Sequence, residues 1–334
     1  MKKGKLILGG MCMALVLGAM TGCSNGTKSE TVQTSAESTG GSAAESAEGS
    51  KEASDKKIVI GVSQKANTNP YNLEVAAAIE SAVKEGDEVI FTDAQQNQAK
   101  QINDVEDLIQ QGCNVILISP VDWQGTRGML EACQRAGVYA VVIDQNIPET
   151  DMEIASSVVC SDNYNAGKLS AEDMVKKLDG KGEIVIYESS ISRAGVDRVA
   201  GFEDYIADYP DMKIVNRQDG LGQIEASLPV MENMLQANPD IKGVFAFNDP
   251  AAIGCIAAIE SANKIGDVLV YGVDGSEQGK QMVIDKKMEG TAAQFPSQIG
   301  IQAVETAYKL MNGETVEKLT LIPVELITSE NVSK

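Results

Sequence analysis

The residues able to do chemistry in this sequence gather in six short polar runs. These are Ser63–Asn72, Ser119–Trp123, Asp144–Asn146, Glu188–Arg193, Asn248–Asp249 and Asp274–Ser276, and each follows an apolar stretch. Carboxylates accept hydrogen bonds and side-chain amides both donate and accept, so this inventory suits a neutral, hydroxyl-rich small molecule. Trp123, the single tryptophan, offers a ring face for stacking, with a rim or core position as the alternative. Imidazole chemistry is excluded: the chain has no histidine, so Ser-His-Asp triads, Cys-His dyads and HExxH zinc sites cannot be built. We expect no catalytic group, no cofactor and no metal. A glycosidase pair drawn from Glu188 and the neighbouring acids is the remote alternative.

Charge narrows the partners. With 48 acidic against 28 basic residues and a formal net charge of −20, nucleic acid is not expected, because phosphate binding needs clustered Lys and Arg. Gly220-Leu-Gly222 lacks the third glycine of a dinucleotide fingerprint, and Gly167-Lys-Leu-Ser170 lacks the upstream glycine of a P-loop. Cys113, Cys133, Cys160 and Cys255 sit singly in apolar segments without CxxC spacing, which reads as free buried thiols.

The elements that position these runs alternate. Apolar strand candidates at 58–62, 88–92, 115–119, 140–144, 184–188, 213–217, 243–248 and 268–273 are separated by amphipathic helices. The spacing predicts helices over about 72–84 and 99–111, with Val75, Ile79 and Val83 on one face of the first. Near-continuous apolar strands alternating with helices predict parallel sheets covered on both faces. The halves also match: Val105 to Asp122 and on to Asp144 parallels Val230 to Asp249 and on to Asp274 at near-constant spacing. The fold class is therefore α/β, with two doubly wound parallel-sheet lobes. Ligands in such sheets bind beyond the carboxyl ends of the strands, where the polar runs lie.

The N-terminus reads as an address. Lys2, Lys3 and Lys5 precede the apolar stretch Leu6–Gly18, too short to span a membrane. Met20-Thr-Gly-Cys23 resembles the lipobox of bacterial lipoproteins, with Met20 departing from the usual Leu. Residues 1–22 are thus expected to be a signal peptide and Cys23 the lipidated anchor. The Ser/Gly/Glu-rich stretch up to residue 56 reads as a flexible tether.

From residue 57 to about 320 the chain resembles the type I periplasmic sugar-binding proteins, in particular their ribose-binding branch. The resemblance rests on Asn69-Pro-Tyr71, Ser119-Pro-Val-Asp122, Ile143-Asp144, Ser161-Asp-Asn163, Arg198-Val-Ala-Gly-Phe202, Phe245-Ala-Phe-Asn-Asp249, Tyr271-Gly-Val-Asp-Gly275 and Ala293-Gln-Phe-Pro-Ser-Gln-Ile-Gly300. It implies two lobes joined by three crossings near Ser161–Asp162, Gln294 and Pro323. One lobe would comprise residues 57–161 and 295–322, the other 162–294 and 323–334, closing on a ligand between them. Asn69 and Tyr71 match a loop that caps and stacks on the sugar. Asp144, Asn248, Asp274 and Gln294 match positions that hydrogen-bond its hydroxyls. The implied partners are a small sugar or polyol and an ABC permease, for a monomer lipid-anchored outside the cell membrane on a Gram-positive surface. The alternative is a sensory accessory that presents its ligand to a membrane receptor.

Departures from the pattern carry information. Gln145 follows Asp144 where the family has arginine, and Val196 stands in place of another, leaving Arg198 with a structural role. Asn72 and Gly222 stand where aromatics are common. Asn72, Trp123, Gln145 and Arg193 are accordingly counted among the ligand-facing residues, and ribose itself is not the expected ligand. Asp144 and Asp274 lack the arginines that balance them in the family, which points to a hexose, polyol or cyclitol, or to a ligand carrying an amine.

Overall fold

Runs such as Val115–Ile118 and Gly243–Ala246 are buried at every position, as only strands in the middle of a covered parallel sheet can be. The computed structural model describes residues 57–332; the signal, tether and Cys23 readings lie outside the described residues. In chain order come β1 (Val59–Gln64), α1 (Pro70–Ala82), β2 (Glu88–Asp93), α2 (Gln98–Gln110), β3 (Val115–Ile118), a short 3-10 turn (Trp123–Gly125), α3 (Arg127–Ala136), β4 (Tyr139–Asp144), α4 (Glu149–Met152) and β5 (Ser157–Ser161). Then follow α5 (Asn163–Lys177), β6 (Lys181–Glu188), α6 (Arg193–Ile206), β7 (Asp211–Asp219), α7 (Ile224–Ala237), β8 (Gly243–Ala246), α8 (Asp249–Ser261), β9 (Leu269–Asp274), α9 (Glu277–Ile284), β10 (Gly290–Ala293), α10 (Pro296–Met311), β11 (Leu319–Ile322) and β12 (Glu325–Thr328).

Two six-stranded sheets result, ordered β11-β5-β4-β3-β1-β2 and β12-β10-β9-β8-β6-β7. The first five strands of each half follow one winding, which is the internal repeat seen in the sequence. All neighbours are parallel except β12, which runs antiparallel to β10. The chain passes between sheets three times: from β5 into α5, from β10 into α10, and from β11 to β12. No helix among the described residues is long and apolar enough to cross a membrane.

Local chemistry moves two boundaries from their sequence-based positions. Helix α1 begins at Pro70 because Asn69 caps it and proline fits the first turn, where its missing N–H goes unneeded. Strand β8 stops at Ala246, and Asn248 leaves it to cap α8, again ahead of a proline. Each sheet carries apolar cores on both faces. Val62, Leu117 and Ile143 pack beneath α1 and α10 on one side of the first, with Ile116 and Val142 on the other. Cys113, Cys133, Cys160 and Cys255 are free thiols buried in these cores.

Candidate functional site

The last residues of β4 and β9 set the geometry. Asp144 and Asp274 end these strands, and both hold positive φ, +78° and +138°. Such backbone costs an L residue on the order of 1–3 kcal/mol and persists where surrounding structure demands it. Both side chains thereby leave the sheets at their carboxyl ends.

Asp144 is buried, and its Oδ2 receives the ammonium of Lys65 at 2.5 Å, with the Ser119 hydroxyl at 3.5 Å. Asp274 accepts from Gln294 Nε2 at 2.8 Å and from the Asp249 N–H at 3.4 Å, and Arg198 Nη1 lies 3.6 Å away. The expectation that both carboxylates lack countercharge therefore fails: Lys65 and Arg198 supply it, one at each strand end. Burial nonetheless holds the Asp274 carboxyl above its ordinary range, against the lowering influence of Arg198.

Arg198 does keep a structural role as well. Its guanidinium is buried and bonds Asn163 Oδ1 at 2.8 Å and the Phe247 carbonyl at 2.7 Å. Behind Asp274, Asp249 is fully buried, accepting from Thr291 Oγ1 (2.6 Å), Ser276 N (2.8 Å) and Ser276 Oγ (2.7 Å). Burial first, and the Asp274 charge second, push its carboxyl up to about 7.

Tyr71 stands between the two acids. Asn69 Oδ1 accepts from its N–H at 2.8 Å and so starts the helix that carries it. The phenol is raised well above its ordinary value, first by burial, then by the charge of Asp144, with Arg198 opposing and the hydrogen-bonding pull of Asp144 and the charge of Asp274 adding. Charges from both sheets thus act on one hydroxyl, which has the Asp144 carboxylate beside it but no partner within 3.5 Å. Other buried polar atoms without a partner collect at the same strand ends: Ser63 Oγ, Gln64 Oε1, Ser161 Oγ, Gln294 Oε1 and Arg193 Nε. Unsatisfied buried groups cost about 1–3 kcal/mol each, so their convergence marks a place built for a polar occupant.

Two residues join the sheet ends directly. Gln145 donates Nε2 to the Pro120 carbonyl at 2.9 Å, and its Oε1 accepts from the Arg193 N–H at 3.0 Å. The Arg193 guanidinium lies over the Trp123 ring, 5.1 Å from its centroid, and pairs with Asp197 at 2.8 Å.

Other sequence-selected residues have local duties. Asn72 donates its amide to the Ala66 carbonyl at 2.9 Å, shaping the loop before α1. Asn248 Oδ1 accepts from Ala251 N (2.9 Å) while Nδ2 donates to the Gly222 carbonyl (3.1 Å). Gly222 has φ +66°, and a Cβ there would lie 2.3 Å from the Phe247 ring, so no aromatic fits at that position. Glu188 is tied to Arg217 at 2.9 Å. Phe245 and Phe247 are core residues. Two shallow depressions of about 260 and 290 Å³ share Gly137, Val138 and Tyr139 at the opposite end of β4 and contain none of the candidate residues.

Sequence reasoning missed Lys65 and Asp249. Lys65 carried a usable signal, being the only cation in the Ser63–Asn72 run. Asp249 carried none that separates a buried acid from a surface one.

Comparison with known proteins bears on the fold and the family. Residues 60–315 match the periplasmic binding protein domain model. The ribose import binding protein of Bacillus subtilis (strain 168) is 37% identical over 278 residues, 82% of this chain and 88% of that protein. An ABC transporter solute-binding protein from Bacillus halodurans C-125 with bound myo-inositol superimposes with a TM-score of 0.78 at 28% identity, covering 83% of this chain and 96% of that one. A periplasmic solute-binding protein from Actinobacillus succinogenes 130z with bound D-allose gives 0.76 at 29%, covering 83% and 99%.

Proposed function

The chain belongs to the type I periplasmic sugar-binding proteins, a family of binding proteins and not of enzymes, and from that premise we propose that it captures a small, neutral, polyhydroxylated ligand for an ABC importer. The observation carrying this reading is the convergence of Asp144, Asp274 and the buried Tyr71 hydroxyl, with charges from both sheets acting on that one group. Acceptors and donors so arranged match adjacent hydroxyls on a ring, each charge-assisted bond contributing about 1.5–3 kcal/mol.

The ligand is a monosaccharide, polyol or cyclitol. Ribose is disfavoured although a similar protein is a ribose import binding protein. Gln145, in place of an arginine, has its amide engaged with Pro120 and Arg193, and Val196 carries no charge. Solved relatives holding myo-inositol and D-allose support a small polyhydroxylated ligand. An amine on the ligand loses its rationale, because Asp144 and Asp274 already face Lys65 and Arg198.

Residues 57–161 with 295–322, and 162–294 with 323–334, act as the two lobes and close on the ligand about the three connections between sheets. Asn69, Tyr71, Trp123, Asp144, Gln145, Arg193, Asp274 and Gln294 form the binding set. Cys23 anchors the protein by its lipid outside the cytoplasmic membrane, and an ABC permease receives the ligand. A thermal-shift panel of pentoses, hexoses, polyols, cyclitols, amino sugars and sugar acids tests this, followed by calorimetry on the best hits. Stabilisation by neutral polyhydroxy compounds is expected; stabilisation by anionic compounds alone overturns the reading.

A further inference from the structure

Asp144 would be expected to have guanidinium neighbours, and the sequence supplies Gln145 and Val196 where they would stand. The structure brings a cation from elsewhere. Lys65 lies in the loop between β1 and α1, and its own carbonyl accepts from Gln96 N at 2.8 Å, which fixes the course of that loop. Its ammonium reaches Asp144 Oδ2 at 2.5 Å, and among the described residues no other cation approaches that carboxylate within 4 Å. The Lys65 side chain keeps 26% of its surface, against 10% for Asp144, so the pair sits at the edge of the site and faces into it.

We propose that Lys65 determines the ligand class: its charge reserves Asp144 for neutral hydroxyls and closes the site to ligands bearing an ammonium. The proposal rests on the reading of this site as a polyol pocket. An ionised carboxylate has about four lone-pair positions. Lys65 occupies one and Ser119, at 3.5 Å, weakly uses another, so at least two remain for adjacent ring hydroxyls. The ammonium has three N–H groups and gives one to Asp144, leaving two to donate to ligand oxygens. Two other carboxylates near the opening also have a cation: Asp274 faces Arg198 at 3.6 Å and Asp197 faces Arg193 at 2.8 Å. An incoming ammonium therefore meets Lys65 as a like charge and finds Asp144, Asp274 and Asp197 already paired. Removing the Lys65 charge leaves Asp144 buried and unpaired, and the preference should invert.

Lys65→Met and Lys65→Arg, with the wild-type protein, are titrated calorimetrically with the best neutral ligand of the panel and with D-glucosamine. Wild type is expected to bind the neutral ligand and to show no heat with D-glucosamine. Lys65→Met should lose at least tenfold in affinity for the neutral ligand and acquire measurable binding of D-glucosamine. Lys65→Arg keeps the charge and should keep the exclusion even where its fit is poorer. Melting curves show whether each variant is folded, and if Lys65→Met is not, Lys65→Gln takes its place. Unchanged neutral affinity with continued exclusion in the charge-free variant overturns the proposal while the polyol reading stands. So does a wild type that binds D-glucosamine as tightly as its neutral ligand. A wild type that binds no neutral polyhydroxy compound overturns the functional reading, and this assignment with it.

Discussion

Asp144 and Asp274 hold the same place in two sheets of identical winding, each ending its strand with a positive φ. Two non-glycine residues at matched positions each carry backbone strain, at φ +78° and +138°, which points to the strain as part of what the sheets are built to present. Asp274→Gly should separate strain from chemistry. Glycine accepts φ +138° freely, which is stabilising, while the bonds from Gln294 and the Asp249 N–H are lost, which is destabilising. The two effects nearly cancel, so the unfolding free energy from denaturant titration should move by no more than about 1 kcal/mol. Ligand binding should disappear from calorimetry. Retained affinity would place the site elsewhere.

Asp249 predicts the pH dependence of folding. Its carboxyl is raised from the ordinary 3.8 to about 7 by burial and by the Asp274 charge, with Thr291 and Ser276 pulling the other way. The folded protein therefore holds a proton that the unfolded chain releases near pH 4, and stability falls as pH rises from about 4 to about 7, levelling off above that. Between pH 8 and about 5 the melting temperature should climb, by the equivalent of a few kcal/mol spread over the Asp249–Asp274 pair, which titrates together. Asp249→Asn should flatten that slope, since its amide can replace the protonated acid against Ser276 and Thr291. An unaltered slope in the variant assigns the effect to other groups.

What was legible in the sequence follows from which interactions are local. The strands, their parallel arrangement and the repeat came from apolar runs and matched acids such as Asp122 and Asp249, because burial on both sheet faces writes itself into composition. Polar residues at strand ends were equally visible, but their duties were not. Asn248 serves as a helix cap and Asn72 as a loop tie, and the residue types that cap helices are those that bind hydroxyls. The Lys65–Asp144 pair spans 79 residues and depends on where two loops fall after the sheet has formed. No local pattern encodes that meeting. Charge balance computed along the chain therefore left Asp144 bare, and only the folded arrangement supplied its partner.

Gly167 shows the same limit at a helix crossing. Nothing in Gly167-Lys-Leu-Ser distinguishes a solvent-facing glycine from one that lets two backbones touch. In the structure a Cβ at Gly167 would lie 1.7 Å from the Arg198 carbonyl oxygen, and one at Gly201 would lie 1.9 Å from that of Tyr164. Helices α5 and α6 thus meet through reciprocal glycines, and the obstacle is backbone, which cannot rotate aside. Gly167→Ala should cost about 3 kcal/mol in chemical denaturation by forcing the helices apart. It should also weaken ligand binding, because the displaced segment carries Arg198 and hence the cation beside Asp274. A normal midpoint would mean that the helices re-space without penalty.

Gln145 joins the sheet ends through a single neutral hydrogen bond to the Arg193 N–H, while Arg193 covers Trp123. A neutral bond of this kind contributes about 0.5–1.5 kcal/mol, and it can form only when the ends of β4 and α6 are together. It therefore favours the closed arrangement and not either lobe alone. Gln145→Ala also removes the buried bond to the Pro120 carbonyl, so the lobe carrying it should lose about 0.5–1.5 kcal/mol while the other is unchanged. The consequence of losing the bond to Arg193 should fall on the closed complex, as a three- to tenfold faster release of ligand with little change in the rate of capture. Because Trp123 is the only tryptophan in the chain, its emission reports the approach of Arg193 without labelling. Stopped-flow traces should show closure as a change in that emission, with the Gln145→Ala trace reversing sooner on dilution. An equal loss in capture rate would instead assign Gln145 to the first encounter with ligand.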